Sequence, residues 1–327
     1  MIKKFIFNVI ILIIPVILIH AILLFLVPKD NNAYLCEYNK KVDLIKTTPS
    51  SRLIFMGSST LAFGIDSRQI SDSLGLNVIN LGLNAGIGAR YYLDDYSQYI
   101  KKGDIVVLSP SYIVDFILGG YGLPETLPDL MVSTNWRNFD RLGYRQLRSV
   151  LEGIPFFCYR NLVRLIKAPV EGWETKKRED VFLYVADGFN QFGDETSHWT
   201  IPEKAKTRPV KDINQVKRIE VDKAFLGFLR HKIVEYENKG AIVLIMPEIC
   251  SQNHFFTSNP LQIEKELKES GMNFCFNPKE LVFDNSYGYG KWGNGHFNRA
   301  GVTVVSNKIA LLLKNVVNGK TGEIIQQ

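Results

Sequence analysis

Leu53-Ile54-Phe55-Met56-Gly57-Ser58-Ser59-Thr60 is a short apolar run followed by a glycine, two serines and a threonine. Continuous apolar runs of this length, without polar alternation, fit strands of a parallel sheet covered by helices on both faces. Residues 77–82 and 104–108 read as the second and third strands. A helix over 89–99 separates them, ended by Lys101-Lys102-Gly103, and Ser109-Pro110 stops the third strand. The alternation breaks over about 115–211, a stretch rich in aromatics, Gly, Pro and Arg that reads as an insertion with one helix, 137–151. It resumes with a helix over 213–239, where Val216, Ile219, Leu226, Leu229 and Ile233 keep helical spacing and Gly240 supplies the stop. Residues 241–246 form a fourth strand ended by Pro247, 261–270 a helix, 273–276 a short fifth strand, and 300–316 the closing helix. This order predicts an α/β fold: a three-layer αβα sandwich of about five parallel strands with a large insertion after the third. Ligands of such sheets bind at the carboxyl ends of the strands, where Ser59, Gly82, Ser109 and Glu248 all fall.

Ahead of the first strand, residues 5–27 are almost wholly apolar, interrupted by Asn8, Pro15 and His20. At about 1.5 Å per residue they span roughly 35 Å, enough for a bilayer core. Lys3 and Lys4 precede the run, while Lys29 and Asp30 behind it largely cancel, so the charge bias places the N-terminus in the cytoplasm. The run is long for a cleaved signal sequence, the competing reading, and no small-residue cleavage site follows it. The organisation expected is a cytoplasmic tip and anchor over 1–28, a polar stalk over 29–51, and an extracytoplasmic α/β domain over 52–327.

The net charge of +6 is concentrated. Residues 136–178 hold ten Lys or Arg against four Asp or Glu, an excess equal to the whole imbalance. Arg137, Arg141, Arg145 and Arg148 recur at helical spacing, which predicts a basic stripe: a solvated face, or a surface for anionic lipid or acidic glycan. No nucleic-acid motif accompanies it. The four cysteines have no short metal-ligand spacing, and no cofactor motif is present. Cys250 and Cys275 follow two strands; a disulfide is permitted outside the cytoplasm, and buried thiols are the other reading.

Three segments carry chemistry. Serine needs an adjacent base to become a nucleophile, and acyl transfer needs donors aimed at the oxyanion. Gly57-Ser58-Ser59 supplies a turn, a hydroxyl and a backbone N–H. Asn80-Leu81-Gly82-Leu83-Asn84 supplies a second strand-end turn, with Gly82 for close approach and Asn84 for an amide. Gly295-His296-Phe297-Asn298-Arg299-Ala300-Gly301 supplies a histidine just ahead of the last helix, able to serve as the base. The bland alternatives are that the serines cap a helix and that His296 is structural.

These blocks resemble the SGNH (GDSL-like) hydrolase superfamily. The resemblance implies Ser59 as nucleophile, His296 as general base, Gly82 as oxyanion donor, and Asn298 and Gly301 as the tail of the histidine block. It also implies an anchored enzyme acting on acyl esters, acetyl first among them, of a cell-envelope polysaccharide, beside a membrane-bound O-acyltransferase. The chain departs from the family pattern twice. Gly293 stands where the family has an orienting Asp three before the histidine, leaving Asp284, Asn294 or Glu248 as substitutes. The third strand ends Ser109-Pro110-Ser111 without the family's Asn, leaving Ser109, Ser111 or Asn84. An active dyad, an unusually completed triad and a decayed site used as a scaffold or glycan-binding module are all compatible with the sequence.

Overall fold

The computed structural model describes residues 1–176, 184–200, 218–288 and 295–325. Parts of the expected insertion and of the helix over 213–239 lie outside them, as do Gly293 and Asn294. The chain opens with α1 (Ile2–Phe25), a helix long and apolar enough to cross a membrane. It then forms α2 (Glu37–Thr47), β1 (Arg52–Gly57), α3 (Ser59–Ala62), α4 (Ser67–Leu74), β2 (Asn77–Asn80), α5 (Ala89–Ser97) and β3 (Ile105–Ser109). Next come α6 (Leu127–Ser133), α7 (Tyr144–Glu171), α8 (Lys223–Asn238) and β4 (Ile242–Ile245). The chain closes with β5 (Cys250–Ser251), α9 (Gln252–Ser258), α10 (Pro260–Glu269), β6 (Val282–Phe283) and α11 (Arg299–Ile325).

The sheet is parallel, in the order β2-β1-β3-β4. Alternate residues of each strand enter two cores. Ile54, Met56, Val106, Leu108, Val243 and Ile245 face one; Leu53, Phe55, Ile105, Val107 and Leu244 face the other. The first core is completed from α2, α5, α8 and α10, the second by Ile70 of α4 and Val302, Val305 and Ile309 of α11. Burial on both faces explains why the strands read as unbroken apolar runs. The sheet has four strands rather than about five. The expected fifth strand over 273–276 is reduced to one parallel bridge, Ile245 to Phe274, and β5 and β6 pair separately with each other.

Two other expectations change. The segment expected as a stalk is folded into the domain through α2, whose Tyr38, Val42 and Ile45 are buried in the first core. Its polar look comes partly from Lys41, fully buried with its ammonium bonded to the carbonyls of Asn80 (2.9 Å) and Gly193 (2.6 Å). The helix expected over 137–151 begins instead at Tyr144, because Asn135, Trp136 and Asn138 turn with positive φ. The basic stripe therefore does not form. Arg137 pairs with Asp95 at 2.8 Å, Arg148 with Glu152 at 2.7 Å, and Arg145 lies over the Tyr121 ring. All four cysteines are free thiols.

Candidate active site

The carboxyl ends of β1, β2, β3 and β4 form one rim. Gly57 pairs with Ser109, and a side chain at Gly57 would lie 2.3 Å from the Ser109 carbonyl, so glycine lets the strands close there. The Leu83 amide bonds to the Gly57 carbonyl, bringing the turn after β2 to the same edge. Beyond Gly57 the chain enters α3. Ser58 is its cap: buried, its Oγ accepts the Thr60 amide (3.3 Å) and donates to Glu248 Oε1 (3.3 Å). Ser59, one residue on, is half-buried with its hydroxyl at the rim.

His296 reaches that hydroxyl across 237 residues of sequence: Nε2 lies 2.9 Å from Ser59 Oγ. Three features place the ring. Gly295 has a φ of +129°, and a side chain there would meet the Ile249 carbonyl at 2.7 Å and Thr60 Cγ2 at 2.8 Å. Phe63, just after α3, stacks on the imidazole at 4.3 Å between centroids and 19° between planes. Asn298 caps α11 by accepting the Gly301 amide at 2.9 Å, while the Asn298 amide donates to the Tyr287 carbonyl, fixing the loop behind the ring. We expect Gly295→Ala to slow reaction at Ser59 by about 10–100-fold, since an ångström of misplacement costs that much. A labelling rate within twofold of the parent chain would contradict it.

The remaining expected residues divide. Asp284 is exposed and caps its own turn through the Ser286 amide at 2.8 Å, which holds its carboxylate below the usual range. Among the described residues no carboxylate hydrogen-bonds to His296. Glu248 faces inward, accepting the Tyr112 amide (2.7 Å) and Ser58, with His254 at 3.5 Å. Gly82 is packed against Leu61 and the Ser58 carbonyl as a close-approach glycine should be, but its N–H donates to Asn80 Oδ1 at 2.9 Å. Asn84 accepts the Gly86 amide at 2.7 Å; among the described residues its side-chain NH2 has no protein acceptor. Ser109 is buried, donating to the Pro247 carbonyl at 3.4 Å. Among the described residues no group of three His, Cys, Asp or Glu side chains converges on a metal position.

A pair from the insertion stands behind His296. The buried His198 contacts Glu195 through Nδ1 (2.5 Å) and the Phe297 carbonyl through Nε2 (2.8 Å). The two contacts hold His198 in place and tether the backbone next to His296. Burial pushes the His296 pKa down to about 3, with the His198 and His254 rings adding to the effect. His296 accepts the Ser59 proton only when neutral. We therefore expect the rate of reaction at Ser59 to stay flat as pH falls from 8 through 6.5 and to drop only well below that. A half-maximal point near the ordinary histidine value of about 6.5 would contradict the lowered pKa.

Glu195 and His198 carried no signal in the sequence. Their i, i+3 spacing lies in a stretch without helical periodicity, and their partner, the Phe297 carbonyl, is a main-chain group. Comparison with protein-family models, with curated proteins and with solved structures finds no match.

Proposed function

We propose that this chain is a membrane-anchored serine esterase or O-acyltransferase of SGNH type. The observation that carries the proposal is the 2.9 Å contact between Ser59 Oγ and His296 Nε2 at the carboxyl rim of a parallel sheet. Ser59 attacks an ester carbonyl as its proton passes to His296, and the tetrahedral intermediate collapses to an acyl-enzyme as His296 returns the proton to the leaving alkoxide. Water or a sugar hydroxyl, deprotonated by the same ring, then takes the acyl group. The Ser59 backbone N–H and the Asn84 amide are the oxyanion donors in this reading, with Gly82 joining only if Asn80 releases its N–H. The site supports ester chemistry; an acetylated cell-envelope polysaccharide as substrate and a membrane-bound O-acyltransferase as partner rest on the family resemblance. The anchor is α1, with the N-terminus in the cytoplasm and the domain outside it.

A second reading, a non-catalytic envelope scaffold or glycan-binding module, is favoured by the occupied Gly82 N–H and by the weak base that a histidine with a pKa of about 3 makes. A fluorophosphonate probe separates the two, because it labels an activated serine whatever the natural substrate. Labelling of the full chain in detergent, mapped to Ser59, is the expected result; an unlabelled folded chain selects the second reading.

A further inference from the structure

We infer that α7 is a second membrane-contacting element, an interfacial helix whose outer face is immersed in the phospholipid leaflet around the domain-side end of α1. The inference rests on the proposal that α1 is an anchor. Helix α7 is amphipathic in an unusual sense. Leu151, Tyr159, Leu162, Ile166 and Val170 follow i, i+8, i+11, i+15, i+19 spacing, which puts them on one face, and all are exposed, Ile166 by 70% and Val170 by 91%. A soluble domain turns such a stripe inward. Here the inward face is already in use: Val150, Phe157, Cys158, Asn161 and Ala168 are buried beneath the helix.

What that inward face touches fixes where the stripe lies. Phe157 and Cys158 share a small core with Leu23 and Val27 of the anchor segment. The Asn161 amide donates to the Leu23 carbonyl at 2.8 Å, and Arg164 reaches the Pro28 carbonyl at 3.3 Å. Helix α7 thus crosses the last two turns of α1, while α1 up to Ile19 is left almost wholly uncovered by the described residues. If lipid covers those earlier turns, its upper boundary falls where α7 crosses, and the outward stripe meets the same leaflet. The charges agree with that depth. Lys29, Arg160 and Arg164 line the cleft between the end of α1 and α7, with Asp30 and Asp129 among them, and Lys167 lies one turn beyond. Basic side chains beside an apolar helical face are how interfacial helices meet phosphate head groups.

The test uses the full chain in liposomes of phosphatidylcholine and phosphatidylglycerol doped with a phospholipid carrying a diazirine on its acyl chain. After photolysis, adducts are mapped by mass spectrometry. Adducts are expected on α1 and on the 151–170 face, at least about tenfold above those on Val234, Leu261 and Leu311, exposed apolar side chains of α8, α10 and α11. Adducts on α1 with none on 151–170 overturn the inference and leave the anchor standing, the outcome if a second copy or another protein covers the stripe. Adducts on neither overturn both. A Leu162→Asp/Ile166→Asp variant of the full chain should keep the α1 adducts and lose those on α7; unchanged α7 labelling in that variant also counts against the assignment.

Discussion

Ser59→Ala is expected to abolish fluorophosphonate labelling while leaving stability within about 0.5 kcal/mol of the parent chain, whereas Ser58→Ala should do the reverse. The two serines are neighbours, and their surroundings assign them opposite roles. Ser59 is half-buried and its hydroxyl bonds to His296, so removing Oγ deletes the reacting atom and leaves the His296 ring free to find water. Ser58 is 1% exposed and its Oγ caps α3, meets Thr60 Oγ1 at 3.0 Å and donates to the buried Glu248. Losing a cap costs about 1 kcal/mol, and leaving a buried carboxylate short of a donor adds to it, so Ser58→Ala should cost about 1–3 kcal/mol in denaturant unfolding. His296→Ala completes the set. Loss of a positioned general base should slow labelling by about 10²–10⁴-fold with little change in fold. Equal labelling in Ser59→Ala and the parent would remove Ser59 as nucleophile. Labelling lost only in Ser58→Ala would transfer the role to its neighbour.

Some of this was legible in the sequence because it is local. A strand ending in Gly57-Ser58-Ser59 has to turn, and glycine at 57 is required by the Ser109 carbonyl beside it. The histidine block was legible for the same reason: Asn298 and Gly301 announce a helix start, which places His296 at an edge of the fold. What decides between an active and an idle site was not legible, because it rests on contacts with residues far away in the sequence. That Gly82 would give its N–H to Asn80 depends on how Asn80, buried and bonded also to Leu61 and Asp194, is held by the insertion. The tether on Phe297 comes from His198, 99 residues away. Helix α7 departs from its expected bounds at both ends. The helix expected over 137–151 in fact runs from Tyr144 to Glu171, with Pro155 and Pro169 inside it, although proline normally ends a helix. Arginines at i, i+4 spacing then suggested a stripe that the turn at Asn135–Asn138 breaks up.

At the opposite end of the sheet, Asp104→Ala should be the most destabilising single change named here, at about 3–5 kcal/mol. Arg52 and Asp104 are both fully buried and meet as a two-pronged pair, Nε to Oδ1 at 2.9 Å and NH2 to Oδ2 at 2.5 Å. The guanidinium also donates to the carbonyls of Ile45 and Tyr99, and Asp104 Oδ2 accepts the Lys101 amide at 2.7 Å. The pair therefore ties the starts of β1 and β3 to the end of α2 and the loop after α5. A guanidinium does not shed its proton inside a protein, so removing the carboxylate strands a positive charge away from water. Arg52→Met/Asp104→Ala removes the charge together with its partner, and should be less destabilised than Asp104→Ala despite having lost more hydrogen bonds. Denaturant unfolding of the full chain in detergent reads both. A double variant as unstable as the sum of the two single ones would mean that the charges act independently and that hydrogen bonding alone accounts for the cost. Because this pair lies at the amino end of the strands and Ser59 at the carboxyl end, the fraction of Asp104→Ala still folded should label at the parent rate.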